Sequence, residues 1–309
     1  MKADVAGKPV QAIEVAGCDT IPRLFHHRVA EWGARTAFRE KRLGIWRATS
    51  WHEYGDRAKW VGLGLVSLGL RRGEVVSILA ETKPEWLYAD MGVIGVGGVS
   101  NGIYPTDSSR QVEYILNDSG SRFLLVENEE QLDKYLDVRE RCPQLRKVIV
   151  FDLEGLAAYR DPQVLAFDEL LALGRNYETD HPELWDELVN ASAPEKLVLL
   201  VYTSGTTGPP KGAMLCHRNV LFQLDNADAF IPLQRGGEQL ACCACPRRCD
   251  NGLSRKRTTP APTSISRPSR SCGPRCCASK SSTPSASVRR RREADDIIRP
   301  VTRGLAPAA

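Results

Sequence analysis

Apolar and polar positions alternate along the first 230 residues in a pattern that predicts helices and strands in turn. Helical spacing marks residues 21–32, and a second helix is expected from Ser50 to about Gly69. Ser50 and Glu53 have the spacing of a capping box at the start of that helix. The next segment, 75–80, is largely apolar, as expected for a strand buried on both faces.

The same alternation continues to residue 230. Pro84 indicates the first turn of a helix, and Ser108 with Gln111 forms a second capping-box pattern before a helix that should close near Gly120. Further strands are expected at 123–126, 148–151 and 197–202, and further helices at 131–141, 168–173, 182–189 and 219–230. Strands that are apolar on both faces and alternate with helices predict an α/β fold with a mostly parallel sheet and flanking helices.

Charge and composition divide the chain near residue 240. Residues 241–309 hold 13 Arg and 2 Lys against 4 acidic residues, whereas residues 1–240 hold 27 basic and 34 acidic residues. The net charge of +4 is therefore an average over two unlike regions. No aromatic residue follows Phe230, and the later apolar positions show no period. We expect residues 241–309 to form a disordered tail, because they cannot bury enough apolar surface to offset the entropy of ordering.

Two ligand-binding interpretations of the tail are weighed against this expectation. Zinc could be held by Cys242, Cys245 and Cys249 together with Cys272 and Cys276, but these cysteines lack the regular pair of Cys-x2-Cys units and an apolar surround. The arginine run 289–292 could meet nucleic acid or an acidic membrane, but no aromatic residue interleaves it. We expect a solvated charge run and no nucleic-acid partner.

The densest chemical signal is the run YTSGTTGPPKG at 202–212, which follows an apolar strand. Its glycines permit tight turns and a close approach of backbone amides to an anion, its hydroxyls can donate to phosphate, and its lysine brings a positive charge. It differs from the Walker loop, because proline precedes the lysine and glycine follows it. The candidate phosphate-binding residues are Thr203, Ser204, Gly205, Thr206, Thr207, Gly208 and Lys211.

These residues resemble the phosphate-binding motif of the adenylate-forming, or AMP-binding, enzymes, which include acyl-CoA synthetases, luciferases and peptide-synthetase adenylation domains. The segment AETKPEW at 80–86 is similar to their N-x-P-E-W segment, with Thr82 in place of the asparagine. Segments 44–51 and 102–119 are similar to long-chain fatty acyl-CoA synthetases in particular.

The resemblance covers about residues 20–240 and suggests three regions. We expect an N-terminal extension at 1–19, an incomplete N-terminal adenylation domain at 20–240, and the tail at 241–309.

The resemblance implies a two-step ligase reaction. A fatty carboxylate attacks the α-phosphate of ATP bound with magnesium, which gives an acyl-adenylate and pyrophosphate; the thiol of coenzyme A then displaces AMP. Carried over by position, Thr203 is a candidate magnesium ligand, and Ser204 to Gly208 are candidate phosphate contacts. Lys211 is the candidate catalytic residue, as the charge partner of the leaving pyrophosphate. The expected small molecules are a fatty acid, ATP, magnesium and coenzyme A.

The cellular setting follows from what the N-terminal 240 residues lack. No signal peptide or apolar run of about 20 residues is recognisable there. We expect a cytoplasmic protein whose contact with membranes, where it occurs, is peripheral.

The sequence departs from the family pattern after residue 240. Where the family has an L-P-L-x-H segment, this chain has ACCACPRRC at 241–249, and segments of the Y-G-x-T-E and R-T-G-D types are not found. We expect no turnover from this polypeptide alone, and we hypothesise a frame change near codon 240. The alternative functions are an adenylating ligase of another carboxylic acid and a non-catalytic nucleotide- or metal-binding protein.

Overall fold

The computed structural model describes residues 13–203 and 209–230, without the side chains of residues 228–230. The predictions for the tail at 241–309 lie outside the described residues, as do most of the N-terminal extension and residues 204–208 of the glycine-rich run. Within the described residues, no helix is both long and apolar enough to span a bilayer.

The predicted helices are present. They are α1 (Ile21–Trp32), α2 (Trp51–Ser67), α3 (Pro84–Gly95), α4 (Ser109–Ser119), α5 (Glu129–Leu136), α6 (Phe167–Asp180), α7 (Leu184–Asn190) and α8 (His217–Phe230). Both capping boxes form: Ser50 and Glu53 cap α2, and Ser108 and Gln111 cap α4. The helix expected over 131–141 is shorter, because α5 ends at Leu136 and a separate 3-10 turn follows at Arg139–Arg141.

The strands among the described residues form one hairpin and one larger sheet. They are β1 (Thr36–Arg42), β2 (Ile45–Ser50), β3 (Val75–Leu79), β4 (Val99–Ile103), β5 (Phe123–Val126), β6 (Lys147–Val150), β7 (Val164–Ala166), β8 (Leu197–Thr203) and β9 (Lys211–Cys216). The larger sheet has the order β7-β6-β5-β3-β4-β8-β9, and every neighbouring pair is parallel except β8 with β9. The predicted mostly parallel α/β fold is therefore confirmed.

Helices cover the sheet on both faces, which explains why its central strands are apolar on both faces. In β3, Val76 and Ile78 join a core with α1, α2, α3 and α6, whereas Val75 and Leu79 point into a second core with α4 and α5. Parallel strands that are buried in this way need apolar side chains at successive positions.

Close helix packing depends on glycine at particular positions. A methyl group on Gly174 of α6 would lie 2.6 Å from the carbonyl carbon of Trp60 in α2. Likewise, a methyl group on Gly62 of α2 would lie 2.6 Å from the carbonyl oxygen of Gly92 in α3. These distances are too short for a side chain, so the two helices can approach α2 only where a residue without Cβ stands.

The antiparallel hairpin β1–β2 precedes α2 and has a two-residue turn of Leu43 and Gly44. Its base is held by the core, since the Phe38 ring lies 5.4 Å from the Tyr54 ring, centroid to centroid. Towards the turn, residues 41–48 are all exposed. The hairpin therefore projects from the domain on an anchored base.

Candidate functional site

The two described ends of the glycine-rich run meet at the carboxyl edge of the parallel sheet. Strand β8 runs parallel to β4 and ends at Thr203, and the chain returns as β9, which begins at Lys211. Thr203 and Lys211 are register partners across the antiparallel pair, and both are exposed. In open α/β sheets, ligands bind outside the carboxyl ends of the strands, where this run begins and ends.

The other candidate phosphate contacts, Ser204, Gly205, Thr206, Thr207 and Gly208, lie outside the described residues. The pairing of Thr203 with Lys211 nevertheless fixes both ends of that segment to adjacent positions of the sheet. A hydroxyl and an ammonium group thus stand together at the base of the run.

Helix α4 supports this base through two tyrosine hydroxyls. Tyr202 Oη donates a hydrogen bond of 2.7 Å to Asp118 Oδ2, and Tyr114 Oη donates one of 3.1 Å to the Pro210 carbonyl oxygen. Tyr114 and Asp118 are four residues apart on α4, so they lie on one face of the helix. The end of β8 and the proline pair at 209–210 are therefore both tied to one helix.

Gly212 allows the Tyr202 ring to lie against the start of β9. A Cβ at Gly212 would come within 3.1 Å of the Tyr202 Cζ, and Tyr202 itself is buried. Burial raises the pKa of Tyr202, and its hydrogen bond to the Asp118 carboxylate raises the pKa further. Tyr202 therefore remains a neutral hydrogen-bond donor at physiological pH.

A second polar group at the same edge joins β5 to the segment that follows β3. Glu127 accepts a hydrogen bond of 2.8 Å from the Glu81 backbone amide and forms an ion pair of 2.7 Å with Lys83 Nζ. This pair fixes the segment 80–86, which carries one of the resemblances found in the sequence. The Thr82 hydroxyl oxygen in that segment is buried and has no hydrogen-bond partner among the described residues.

The described residues offer few side chains to a metal ion. Within them, no group of three His, Cys, Asp or Glu side chains is placed to hold a metal ion. Magnesium at a nucleotide site is bound through few protein oxygens together with phosphates and water. Thr203 could supply one such oxygen from its exposed position at the end of β8.

His217 lies at the opposite edge of the sheet. It follows β9, whose last residue Cys216 pairs with Leu197 at the start of β8. Its Nδ1 accepts a hydrogen bond of 3.4 Å from the Ile21 amide at the start of α1. Burial lowers the His217 pKa to about 4, in spite of the opposing influence of Asp19. His217 therefore accepts a hydrogen bond at the start of α1 and is itself the first residue of α8.

The supporting residues Tyr114, Asp118 and Tyr202 were not recognised as a group from the sequence. They are far apart along the chain, and no periodicity links a strand residue to one face of a distant helix. The only available signal was that Tyr114 and Asp118 lie within the segment 102–119 that resembles long-chain acyl-CoA synthetases.

Curated proteins similar to this chain include long-chain-fatty-acid–CoA ligases. The chain is 34% identical over 201 residues to the long-chain-fatty-acid–CoA ligase ACSBG1 of Bos taurus, a match that covers 65% of this chain and 27% of that protein. It is 33% identical over 215 residues to ACSBG2 of Xenopus laevis, which covers 70% of this chain and 28% of the relative. The matched part of this chain thus spans little more than a quarter of these relatives' length.

Solved structures share the fold. The anthranilate CoA ligase AuaEII in complex with anthranoyl-AMP aligns with a TM-score of 0.55 and 24% identity, over 68% of this chain and 36% of that one. An acyl-CoA synthetase of Brucella canis aligns with a TM-score of 0.53 and 18% identity, over 68% and 35% of the two chains. The family model described as "AMP-binding enzyme" matches residues 25–254, well over half of the chain. The chain therefore belongs to the AMP-binding enzyme family.

Proposed function

We propose that this chain is the phosphate-holding part of a long-chain fatty acid–CoA ligase. The observation that carries the proposal is the pairing of Thr203 with Lys211 at the carboxyl edge of a parallel sheet, in a chain of the AMP-binding family. The similarity to long-chain-fatty-acid–CoA ligases supports a fatty acid as the substrate class. In this proposal, residues 20–240 are the adenylation part of the chain.

The run between β8 and β9 would hold the β- and γ-phosphates of ATP. Lys211 would place its ammonium group beside the leaving pyrophosphate, and the Thr203 hydroxyl would offer an oxygen to magnesium or phosphate. Magnesium would supply charge neutralisation between the phosphates when bound. Positioning and electrostatic stabilisation are the usual contributions of a protein to such a transfer, because charge develops on the oxygen atoms of the substrate in the transition state.

We propose further that this polypeptide carries out only part of the ligase reaction and works in the cytoplasm. The sequence has none of the later family segments after residue 240, so the polypeptide should bind ATP without completing acyl transfer to coenzyme A. We place it in the cytoplasm, with peripheral contact to a membrane surface, where long-chain fatty acids partition.

The test is calorimetric titration of the full chain with ATP and magnesium. Lys211→Ala should weaken ATP binding by about 10- to 100-fold, because a hydrogen-bonded charge pair contributes about 1.5–3 kcal/mol. The matched control is Lys196→Ala, since Lys196 is exposed just before β8, at the opposite edge of the sheet. Equal affinity of the wild type and Lys211→Ala would refute the assignment of the loop.

Zinc analysis of the purified chain separates this function from a metal-binding one. The proposed function expects no stoichiometric zinc, whereas about one tightly bound zinc ion per chain, without ATP binding, would favour a protein that uses the cysteines of the tail.

A further inference from the structure

The tip of the β1–β2 hairpin combines exposed apolar side chains with basic ones. Leu43 is 95% exposed, Ile45 67% and Trp46 58%. Residues 39–47 include four basic residues and one acidic residue, Glu40. A soluble protein has no need to expose three large apolar side chains in four consecutive residues, and such clusters mark contact surfaces.

Leu43 occupies a turn position whose backbone conformation disfavours leucine. Leu43 has a φ of 49° and Gly44 a φ of 84°, so both residues of the two-residue turn are left-handed. Such turns strongly favour Asn or Asp followed by Gly, because other side chains are strained at positive φ. A leucine there is unfavourable for the turn and gains nothing from burial, and a contact outside the domain would give it a role.

The strand register surrounds the apolar tip with positive charge. Lys41 pairs with Trp46 and Arg42 pairs with Ile45, while Arg47 pairs with Glu40. Lys41, Arg42 and Arg47 are exposed, and no ion pair joins any of the three to another residue that the structure describes. Two acidic groups lie near the hairpin, Glu40 on β1 and the partly buried Glu85 on α3, and the charge of Arg42 acts on Glu85.

We propose that this tip is a docking surface for an anionic lipid bilayer. Tryptophan is favoured at the level of lipid headgroups, leucine and isoleucine can enter the acyl boundary, and basic side chains are attracted to anionic lipids. The anchored base at Phe38 and Tyr54 would present the tip as a rigid wedge. The inference deepens the peripheral membrane contact of the proposed function and rests on it, but it needs no ligase activity.

The first experiment measures binding of the full chain to phosphatidylcholine vesicles with and without phosphatidylserine. The apolar variant is Leu43→Asn with Ile45→Thr and Trp46→Thr, since asparagine suits a positive φ and threonine suits a strand, so the hairpin should still form. It should lose most of the binding to vesicles that contain phosphatidylserine. The wild type should bind those vesicles more tightly than pure phosphatidylcholine, and added salt should weaken the binding.

A charge variant tests the basic rim. Neutralisation of Lys41, Arg42 and Arg47 to Gln should weaken binding by about fivefold for each residue. The matched control neutralises three exposed basic residues away from the hairpin, Arg110, Arg160 and Lys196. The basic tail at 241–309 is present in every variant, so binding that the tail alone provides would survive both hairpin variants and would overturn the proposal.

Fluorescence locates the contact at the tip itself. Lipids with brominated acyl chains should quench Trp46 in the wild type, and Trp46→Phe should remove that quenching while vesicle binding is retained. Unchanged quenching in Trp46→Phe would refute the insertion of this residue. Size-exclusion chromatography without lipid completes the test: a dimer that the apolar variant abolishes would assign the tip to a second copy instead. ATP titration of the same variants should match the wild type, so failure of the lipid proposal is distinguishable from failure of the ATP site.

Discussion

Protonation of His217 should make the fold sensitive to mild acid. Its imidazole is buried at 3% exposure and accepts a hydrogen bond from the first amide of α1, where the side chain of the N-cap residue Thr20 makes no capping bond. The protonated ring would lose this acceptor and would place a positive charge at the positive end of a helix dipole. The neutral form is therefore the one that the fold stabilises.

The magnitude follows from the two pKa values. His217 titrates near 6.5 in an unfolded chain and at about 4 in the folded chain. Between these values the unfolded state binds more protons, so the stabilisation is complete above pH 6.5 and is lost as the pH falls towards 4. At about 1.36 kcal/mol for each pKa unit, the contribution of His217 to the free energy of unfolding falls by roughly 2 kcal/mol by pH 5 and by roughly 3 kcal/mol by pH 4.

The assay is urea unfolding of the full chain and of His217→Asn at several pH values between 4 and 7, followed by circular dichroism. The asparagine Oδ1 can replace Nδ1 as acceptor for the Ile21 amide, but it does not titrate. The carboxylates are the same in both proteins, so the difference between the two stability curves isolates His217. Parallel curves over this range would refute the buried neutral imidazole.

Two further predictions concern packing and the support of the loop. Gly174→Ala should lower the free energy of unfolding by about 1–3 kcal/mol, because the added methyl group collides with the Trp60 carbonyl, and urea unfolding measures this. Ala172→Gly, at an exposed position of α6, gives the helix-propensity effect alone, about 1 kcal/mol; a more stable Gly174→Ala would contradict the close packing. Tyr202→Phe should cost about 0.5–1.5 kcal/mol of stability and weaken ATP binding severalfold, because α4 no longer holds the end of β8. Asp118→Asn keeps an oxygen acceptor and should change both quantities less, so equal effects of the two variants would contradict this role.

Most helices were predictable because their signals are local. A capping box predicts the start of a helix from only four residues. Both predicted boxes form, Ser50 with Glu53 and Ser108 with Gln111. The buried strands β3, β5, β6 and β8 were recognisable for a similar reason, since a sheet covered on both faces requires successive apolar residues, as in Phe123–Val126. Strand β4 (Val99–Ile103) is also buried but was not predicted, because Ser100, Asn101 and Gly102 interrupt its apolar residues.

The hairpin and β9 were not predictable in this way. Strand β1 is mostly polar and exposed, so it carries neither an alternating nor a continuous apolar pattern. Strand β9 begins with Lys211 and Gly212, and its place is set by pairing with β8 across the loop. The motif predicts the chemistry of the candidate site, but the support from Tyr114 and Asp118 depends on the three-dimensional path of the chain.

The strand order has a consequence for how this domain acquires its site. Ser100 of β4 pairs with Leu199 of β8, and the chain completes β5, β6 and β7 between these two partners. Contacts between residues so distant in sequence form slowly, because the intervening loop must lose its entropy first. During synthesis, β3 to β7 can assemble before β8 leaves the ribosome, and the two ends of the glycine-rich run come together only when β9 has followed. Under the proposed function, ATP binding is therefore expected among the last properties to appear as the chain folds, and it would report the completion of the sheet.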